Sequence, residues 1–331
     1  MKRFSMVVVS FIGIVGLCFV TCAAAQGSCT ADIYDPSVPG SVLVFPKGVS
    51  GTTFTGDPLT EFQVSVDCPA GCVCPPDDKV RLKATWVCPG KGMFNVCAKT
   101  DFYLYTCDNS PLHSVGSTTN YVVRPATKPG SVTIFQPPCN KAFLVVWATD
   151  DYGKPIAFDG LTGTGLVRVS SGAGGTYDAV PFQAETGSCG NTAFDGSSLI
   201  FDGVTEFAAG TASVQGTIVI DTATKKNSLI FLTLDDNLGR PNTPTYVDLV
   251  VRDQNGCVVL SKSLDFTCWR EVPLKNIFGS NPQPTGGSIT ITASKMILVF
   301  EETDSGSPVT IVKFRRLPNT GCAAPTELIL H

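Results

Sequence analysis

The amino-acid sequence predicts an all-β protein of two disulfide-stapled, β-sandwich-like domains, with one large β-sandwich as the alternative. Short segments in which apolar and polar residues alternate recur along most of the 331 residues, and this period of two is typical of strands buried on one face. Turns rich in Gly and Pro separate the segments. No segment has the period of an amphipathic helix, which disfavours the helical fold classes.

The clearest element is a β-hairpin over residues 246–269. On its first arm Val247, Leu249 and Val251 are predicted to face the core, because polar residues alternate with them. Residues 253–256 (DQNG) are predicted to form the turn, since Asn and Gly tolerate the positive φ of tight hairpins. The inward side of the returning arm is predicted to contain Val258, Leu260, Leu264, Phe266 and Cys268.

Further strands follow from the same pattern. Residues 142–147 form a continuous apolar run (AFLVVW), which is typical of a central strand buried on both faces. Residues 214–220 and 229–234 are predicted to pair with each other across a polar loop. The remaining strands are predicted at residues 41–45, 62–66, 80–86, 101–106, 121–123, 132–135, 156–158, 166–169, 289–293, 296–300 and 309–314.

The first 25 residues have the organisation of an export signal. The charged residues Lys2 and Arg3 precede an apolar run over residues 6–20 and an Ala-Ala-Ala cleavage signal before Gln26. Lipidation at Cys22 is a disfavoured alternative, because Thr precedes it where a lipoprotein signal has a small residue. No later segment is apolar enough to cross a membrane. We therefore expect a secreted, periplasmic or cell-surface protein, without membrane insertion after signal cleavage.

The charge balance is mildly acidic. The chain has 24 basic and 28 acidic side chains and a net charge of −4. Loss of Lys2 and Arg3 with the signal would leave 22 basic side chains and a net charge of −6. This balance disfavours a nucleic-acid partner, which requires a basic surface, and no polybasic segment is present for anionic lipid. The predicted partner is an unidentified protein or glycan.

Cysteine usage indicates an oxidising compartment. Twelve of the 14 cysteines lie beyond the predicted signal, and an even number in an exported protein predicts up to six disulfides and no free thiol. Spacing does not determine the pairing, although Cys88 and Cys97 flank a loop whose base they could join. A zinc or copper site in the dense cluster at residues 68–74 is disfavoured in such a compartment. The disulfide candidates are Cys29, Cys68, Cys72, Cys74, Cys88, Cys97, Cys107, Cys139, Cys189, Cys257, Cys268 and Cys322.

Residues 185–198 (ETGSCGNTAFDGSS) form the best candidate for a domain boundary, because they are rich in Gly and Ser and lack periodicity. The predicted organisation is a signal peptide at residues 1–25, a first sandwich domain at residues 26–187 and a second at residues 188–331. The boundary divides the mature cysteines eight to four. Both numbers are even, as two independently stapled domains would require.

Five segments support a resemblance to other proteins: SVLVFPKG (41–48), WVCPG (86–90), FDGLTG (158–163), TPTYVDLV (243–250) and FTCWREVPL (266–274). They are similar to segments of a group of uncharacterised secreted bacterial proteins. The resemblance extends over most of the mature chain and implies export and a β-rich fold. It implies no activity and no catalytic residues.

Groups for catalysis or metal binding are sparse. His113 is the one histidine of the chain apart from His331, and no nucleophile motif surrounds it. Adjacent carboxylates occur beside strand ends, where acidic residues usually cap turns. Calcium is the alternative use of such loops, because carboxylates are hard oxygen ligands. The calcium candidates are Asp150, Asp151, Asp235 and Asp236, and a third carboxylate pair is Glu301 and Glu302.

Together these observations predict an exported, non-enzymatic β-sandwich protein that acts as an extracellular or surface binding or structural module, without a cofactor. The alternative is a secreted polysaccharide hydrolase that uses Asp or Glu. A hydrolase would need two carboxyl groups about 5–10 Å apart across a cleft. Adjacency in the sequence does not provide that arrangement.

Overall fold

A computed structural model of the protein describes residues 31–50, 59–69, 71–72, 80–91, 95–104, 113–115, 118–123, 138–168, 174–218, 226–279, 286–304 and 312–330. These residues form strands and one short helix, which confirms the all-β prediction. The predicted signal peptide, Cys29, Cys74 and Cys107 lie outside the described residues.

The strands up to the predicted boundary are β1 (Val42–Val49), β2 (Leu59–Val66), β3 (Arg81–Lys91), β4 (Val96–Leu104), β5 (His113–Val115), β6 (Thr118–Val123), β7 (Lys141–Thr149), β8 (Ile156–Phe158), β9 (Leu161–Arg168), β10 (Gly174–Asp178) and β11 (Val180–Phe182). The elements that follow are β12 (Cys189–Ala193), β13 (Ser198–Phe201), β14 (Gly210–Ile218), β15 (Lys226–Leu232), β16 (Asp236–Asn237), β17 (Thr245–Arg252), β18 (Val258–Phe266), β19 (Trp269–Pro273), the helix α1 (Leu274–Phe278), β20 (Gly287–Asp304), β21 (Val312–Arg316), β22 (Asn319–Ala324) and β23 (Thr326–Ile329).

The first part of the chain forms a sandwich of two five-stranded sheets. The first sheet has the order β11-β1-β7-β3-β4, and the second sheet has the order β10-β9-β2-β6-β5. Their facing side chains form a core, here called the first core, around Phe45, Phe62 and Trp86. The rings of Phe45 and Phe62 meet edge to face with centroids 5.1 Å apart, a favourable geometry for aromatic pairs.

The later part of the chain is built around the unusually long strand β20, which has 18 residues. Its first half pairs with β17 and β14, and its second half pairs with β15 and β21. The two halves thus belong to two layers, which enclose a second core around Leu249, Phe231 and Ile291. The predicted strands at residues 289–293 and 296–300 are therefore one continuous strand.

The predicted pairing between residues 214–220 and 229–234 is wrong. Strand β14 pairs with β20 and β22, whereas β15 pairs with β19 and β20. The alternation of each segment marks a strand but carries no information about its neighbour. Because β20 is long enough to serve both layers, it replaces the local hairpin.

A shared core lies between the first sheet and the layer that contains β15. In β7, Leu144 and Val146 belong to the first core, whereas Phe143 and Trp147 belong to the shared core. Strand β15 is also buried on both faces, because Ile230 lies in the shared core whereas Leu229 and Phe231 lie in the second core. The continuous apolar run at residues 142–147 is thus a central strand buried on both faces, as the sequence predicts.

The hairpin of β17 and β18 confirms most of the predicted faces. Val247, Leu249 and Val251 are buried, and Phe266 pairs with Thr245 at the open end of the hairpin, away from the turn. Val258 is an exception, since it is 52% exposed. The register shifts between Val251 and Arg252, so Val258 lies beyond the bulge, where no layer covers it.

Disulfides join distant parts of the sandwiches. The pairs are Cys72–Cys189, Cys88–Cys139 and Cys97–Cys268, and Cys68 and Cys322 are also disulfide-bonded. Cys88 and Cys97 therefore do not join each other. Cys257 is exposed and has no disulfide among the described residues, so the absence of free thiols stays a prediction.

Disulfides connect the chain on the two sides of the predicted boundary at residues 187/188, which two independently stapled domains would not require. Two disulfides, Cys72–Cys189 and Cys97–Cys268, link residues on opposite sides of it. The predicted boundary segment contains β12, which pairs with β8. The eight-to-four division of the cysteines therefore does not describe the pairing, because the sequence could not show which cysteines meet.

Candidate functional site

A concave surface lies at one edge of the first sandwich. There the chain leaves the second sheet at Asp178 and enters the first sheet at Val180, so a single segment connects both sheets. Gly40 pairs with Leu161 at the same edge. The loop of residues 36–39 stands beside this junction and closes a groove of about 400 Å³.

The loop that forms the rim of the groove is held by one side chain. Gln183 Nε2 donates to the carbonyl oxygens of Asp35, Val38 and Pro39 at 3.0–3.2 Å, and its Oε1 accepts from the Asp35 backbone N–H at 2.8 Å. Ser37 donates its N–H and hydroxyl to the Asp35 carboxylate, and these bonds, the hydroxyl's first, lower the pKa of Asp35. The rim is therefore fixed before any ligand binds.

The wall of the groove is a row of polar side chains in cross-strand register. Gln63 lies opposite Thr164, and Thr164 lies opposite Asp178. Ser65 and Thr162 form the next pair. Residues directly opposite each other in antiparallel strands point to the same face, so the hydroxyl, amide and carboxylate groups form one continuous polar surface.

Strand β10, which carries Asp178, is anchored by its neighbour Tyr177. The Tyr177 hydroxyl donates to the backbone oxygen of Lys47, and its ring lies over Gly165, where a Cβ would come within 2.2 Å of a ring carbon. Burial raises the pKa of Tyr177 well above its usual value, so it remains a neutral donor. Asp178 is thereby held in the wall of the groove and is itself exposed.

A second cavity of about 220 Å³ continues the groove toward the later strands. It shares Asp178 with the first cavity and adds Phe314 and Arg316. The Phe314 ring packs against Tyr177 with centroids 4.8 Å apart, and the Arg316 guanidinium lies 5.1 Å from the Tyr34 ring centre. The combined groove therefore has a polar half, a central carboxylate and an aromatic, cationic end.

The calcium candidates occupy different surroundings. Asp150 Oδ1 accepts the backbone N–H groups of Tyr152 and Lys154 at 2.9 and 2.8 Å, which is turn capping, while Asp151 is exposed. Asp235 forms an ion pair with Lys295 at 3.2 Å. Calcium binding at these residues stays a prediction.

Asp236 is the most perturbed of these acids. It is 3% exposed, and neither carboxylate oxygen has a hydrogen-bond partner among the described residues. Burial raises its pKa to about 8, Lys295 opposes the rise and Asp235 adds to it. One of its carboxylate oxygens lies within 4.8 Å of the sulfurs of the Cys97–Cys268 disulfide.

The third carboxylate pair is engaged in ion pairs on opposite faces of β20. Glu301 binds Arg315, and Glu302 binds Lys47, which is 4% exposed. Lys47 also approaches Glu271 at 3.3 Å. Alternation along the strand separates the two carboxylates, so they do not converge on one ligand.

His113 lies in β5, at the edge of the second sheet opposite β10 and the groove. His331 lies outside the described residues. The sequence interpretation did not find the groove residues. One signal for them is the TGTG run in β9, where Gly163 and Gly165 face the packed interior and the alternating Thr162 and Thr164 face outward.

Comparison with known proteins adds little to this geometry. No family model matches the chain and no curated protein matches it. One solved structure, described as "Crystal Structure of Thermotoga maritima 1070", is similar over 34% of this chain and 98% of its own, with 9% identity and a TM-score of 0.29. A similarity at that level carries no argument about fold or function.

None of the described helices has the length and apolar character needed to cross a membrane.

Proposed function

We propose that the protein is an exported glycan-binding module and that the groove beside residues 36–39 is its ligand site. The observation that carries the proposal is the continuous row Gln63–Thr164–Asp178, which faces a rim fixed by Gln183. A pre-ordered rim reduces the entropy lost when a ligand binds, and the polar row supplies hydrogen-bonding groups for it.

The chemistry of the row suits a saccharide. Sugar hydroxyl groups both donate and accept hydrogen bonds, and so do the Ser and Thr hydroxyls and the Gln63 amide. Asp178 adds a carboxylate acceptor, and hydrogen bonds to charged groups are stronger than neutral ones. At the far end, Phe314 supplies an aromatic surface and Arg316 a cation, which extend the site beyond one sugar unit.

The same groove gives less support to the hydrolase alternative. Among the described residues that line the two cavities, Asp178 alone carries a carboxylate. Glycosidases of the common type need a second carboxyl group across the scissile bond. The groove therefore favours binding without turnover.

Export of the module is part of the proposal. Disulfides persist in oxidising compartments and are rare where thiol reductants are abundant. The three pairs described above, together with the bonded Cys68 and Cys322, support an extracellular, periplasmic or surface location. The N-terminal signal predicted from the sequence supports the same location.

The test is a glycan microarray that includes chitin, cellulose and peptidoglycan fragments, followed by calorimetry with the oligosaccharide that binds best. Asp178→Ala removes a charged acceptor from the row, and because such a bond contributes about 1.5–3 kcal/mol, affinity should fall roughly 10- to 100-fold. Asp265→Ala is the matched control, since Asp265 is an exposed strand aspartate in β18. Equal affinity of the two variants, or no glycan bound by the native protein, would contradict the proposal.

A further inference from the structure

The buried environment of the Cys97–Cys268 disulfide contains an unusual set of polar groups. The two sulfurs and a carboxylate oxygen of Asp236 lie within 4.8 Å of one another, and all three residues are buried. The cysteines are 0% exposed. Both Asp236 oxygens lack a hydrogen-bond partner among the described residues. A disulfide needs no such neighbour, and an unpartnered buried carboxyl group is costly.

The surrounding backbone holds this group in a fixed geometry. Cys268 has a φ of 64° and Asn95, two residues before Cys97, has a φ of 49°. They are the two left-handed positions occupied by residues other than glycine in the described chain. Thr233 N–H donates to the Cys268 oxygen, and Gly239 N–H donates to the Cys97 oxygen, each at 3.1 Å. Residues in such conformations are often found at functional sites.

A further group is directed at the sulfur atoms. Asn242 Nδ2 lies 3.6 Å from Cys97 Sγ and 4.0 Å from Cys268 Sγ, while its Oδ1 accepts from the Asn237 backbone N–H at 2.7 Å. The amide is thus oriented with its donor toward sulfur. Donors outside the ligand set commonly stabilise metal-bound thiolates in this way.

We infer that reduction of the Cys97–Cys268 disulfide converts this cluster into a binding site for a thiophilic divalent cation such as Zn²⁺, with Cys97, Cys268 and Asp236 as ligands. Two thiolates and a carboxylate are ligands that Zn²⁺ prefers. After reduction the two sulfurs must move apart from bonding distance, and the Asp236 oxygen, within 4.8 Å of them, must move closer, because ligand atoms about 2.0–2.3 Å from a tetrahedral zinc lie roughly 3–4 Å apart.

The chemistry balances with a dithiol or a phosphine as reductant. Reduction breaks the S–S bond and leaves two thiols. The two electrons come from the reductant, since a dithiol is oxidised to its disulfide and a phosphine, with water, to its oxide, and the two protons come from the dithiol or from water. Zn²⁺ then displaces both thiol protons and any proton on the Asp236 carboxyl group, so binding releases protons to solvent. A fourth tetrahedral position remains for water or another exogenous ligand. Gly239, Arg240 and Thr243 follow Asp236 in the chain and are exposed, so we expect the ion to enter from their side.

The experiment uses the full chain, oxidised or reduced with a phosphine, and Zn²⁺ itself as the probe in competition with a chromophoric chelator. Asp236→Asn keeps every cysteine and removes one ligand. The double variant Cys97→Ser and Cys268→Ser removes the pair. The double variant Cys88→Ser and Cys139→Ser is the matched control, because it removes the thiols of a different disulfide. Circular dichroism follows the fold of each reduced sample.

The reduced native protein and the matched control should both bind one Zn²⁺ at this site, and Co²⁺ in its place should show thiolate charge-transfer absorption. Asp236→Asn should weaken binding by at least about tenfold. The Cys97/Cys268 double variant and the oxidised native protein should not bind Zn²⁺ at this site. Equal binding by the Cys97/Cys268 double variant and the native protein, unchanged affinity in Asp236→Asn, or a reduced chain that loses its strand signal despite Zn²⁺ would each overturn the inference.

Discussion

At the scale of single residues, the environment decides what each acid does. The sequence presents Asp150 and Asp236 as equivalent turn acids with calcium as an alternative use. The fold makes Asp150 a turn cap with two backbone donors, whereas it buries Asp236 without a partner among the described residues. Burial of a side chain depends on which distant segments cover it, so local sequence could not distinguish the two.

The buried carboxyl group of Asp236 should make stability depend on pH. Its pKa is about 8 in the folded protein and about 3.9 in an unfolded chain. The unfolded state therefore loses this proton first as the pH rises, and the free energy of unfolding falls between about pH 4 and pH 8. A shift of that size corresponds to a loss on the order of 5 kcal/mol.

Asp236→Asn should remove this part of the pH dependence, because the amide does not titrate. Urea denaturation of the oxidised protein at pH 5 and pH 8.5, with a chelator present, provides the measurement. The variant should exceed the native protein in stability mainly at pH 8.5. The exposed substitution Asp265→Asn is the control. Identical pH profiles for native protein and Asp236→Asn would show that Asp236 is ionised and solvated in the fold.

At the scale of elements, periodicity predicted the strands better than their partners. The alternation in β17 identified its buried face correctly, and the apolar run of β7 identified a strand covered on both sides. The bulge that leaves Val258 exposed and the long strand β20 that separates β14 from β15 were not predictable. The long strand depends on pairing between segments that are distant in sequence, whereas the bulge inserts an extra residue within the hairpin that the alternation does not reveal.

The hairpin offers a direct test of its register. Leu249 is 0% exposed and Phe266 is 5% exposed, so Leu249→Ala and Phe266→Ala should each lower the free energy of unfolding by about 2–5 kcal/mol. Ser261→Ala is the control, because Ser261 is exposed and such substitutions usually change stability by less than about 0.5 kcal/mol. Ser263 is less suitable, since its hydroxyl donates to Asp248. A damaging Ser261→Ala with a neutral Leu249→Ala would mean a register shifted by one residue.

At the scale of the whole molecule, the sequence predicted the strand content and the disulfides but not the shared core. Phe143, Trp147, Ile230 and Phe300 meet there from strands on both sides of the predicted boundary, and Cys97–Cys268 crosses the same region. Cleavage within residues 185–198 would leave the two parts joined by that disulfide. The groove is likewise a product of the whole fold, because its lining extends from Pro36 to Arg316.

The shared core should make the molecule unfold as one unit. If either sandwich unfolded alone, the apolar face that the other sandwich buries in the shared core would become exposed to water. A calorimetric scan of the oxidised protein should therefore show one transition, with equal calorimetric and van't Hoff enthalpies. Phe62→Ala, in the first core, removes about 3–5 kcal/mol and should lower the midpoint of that whole transition. Leu249→Ala, in the second core, should lower the same transition. If the scan shows two transitions and each substitution moves a different one, the sandwiches at residues 26–187 and 188–331 unfold independently and the shared core contributes little to cooperativity.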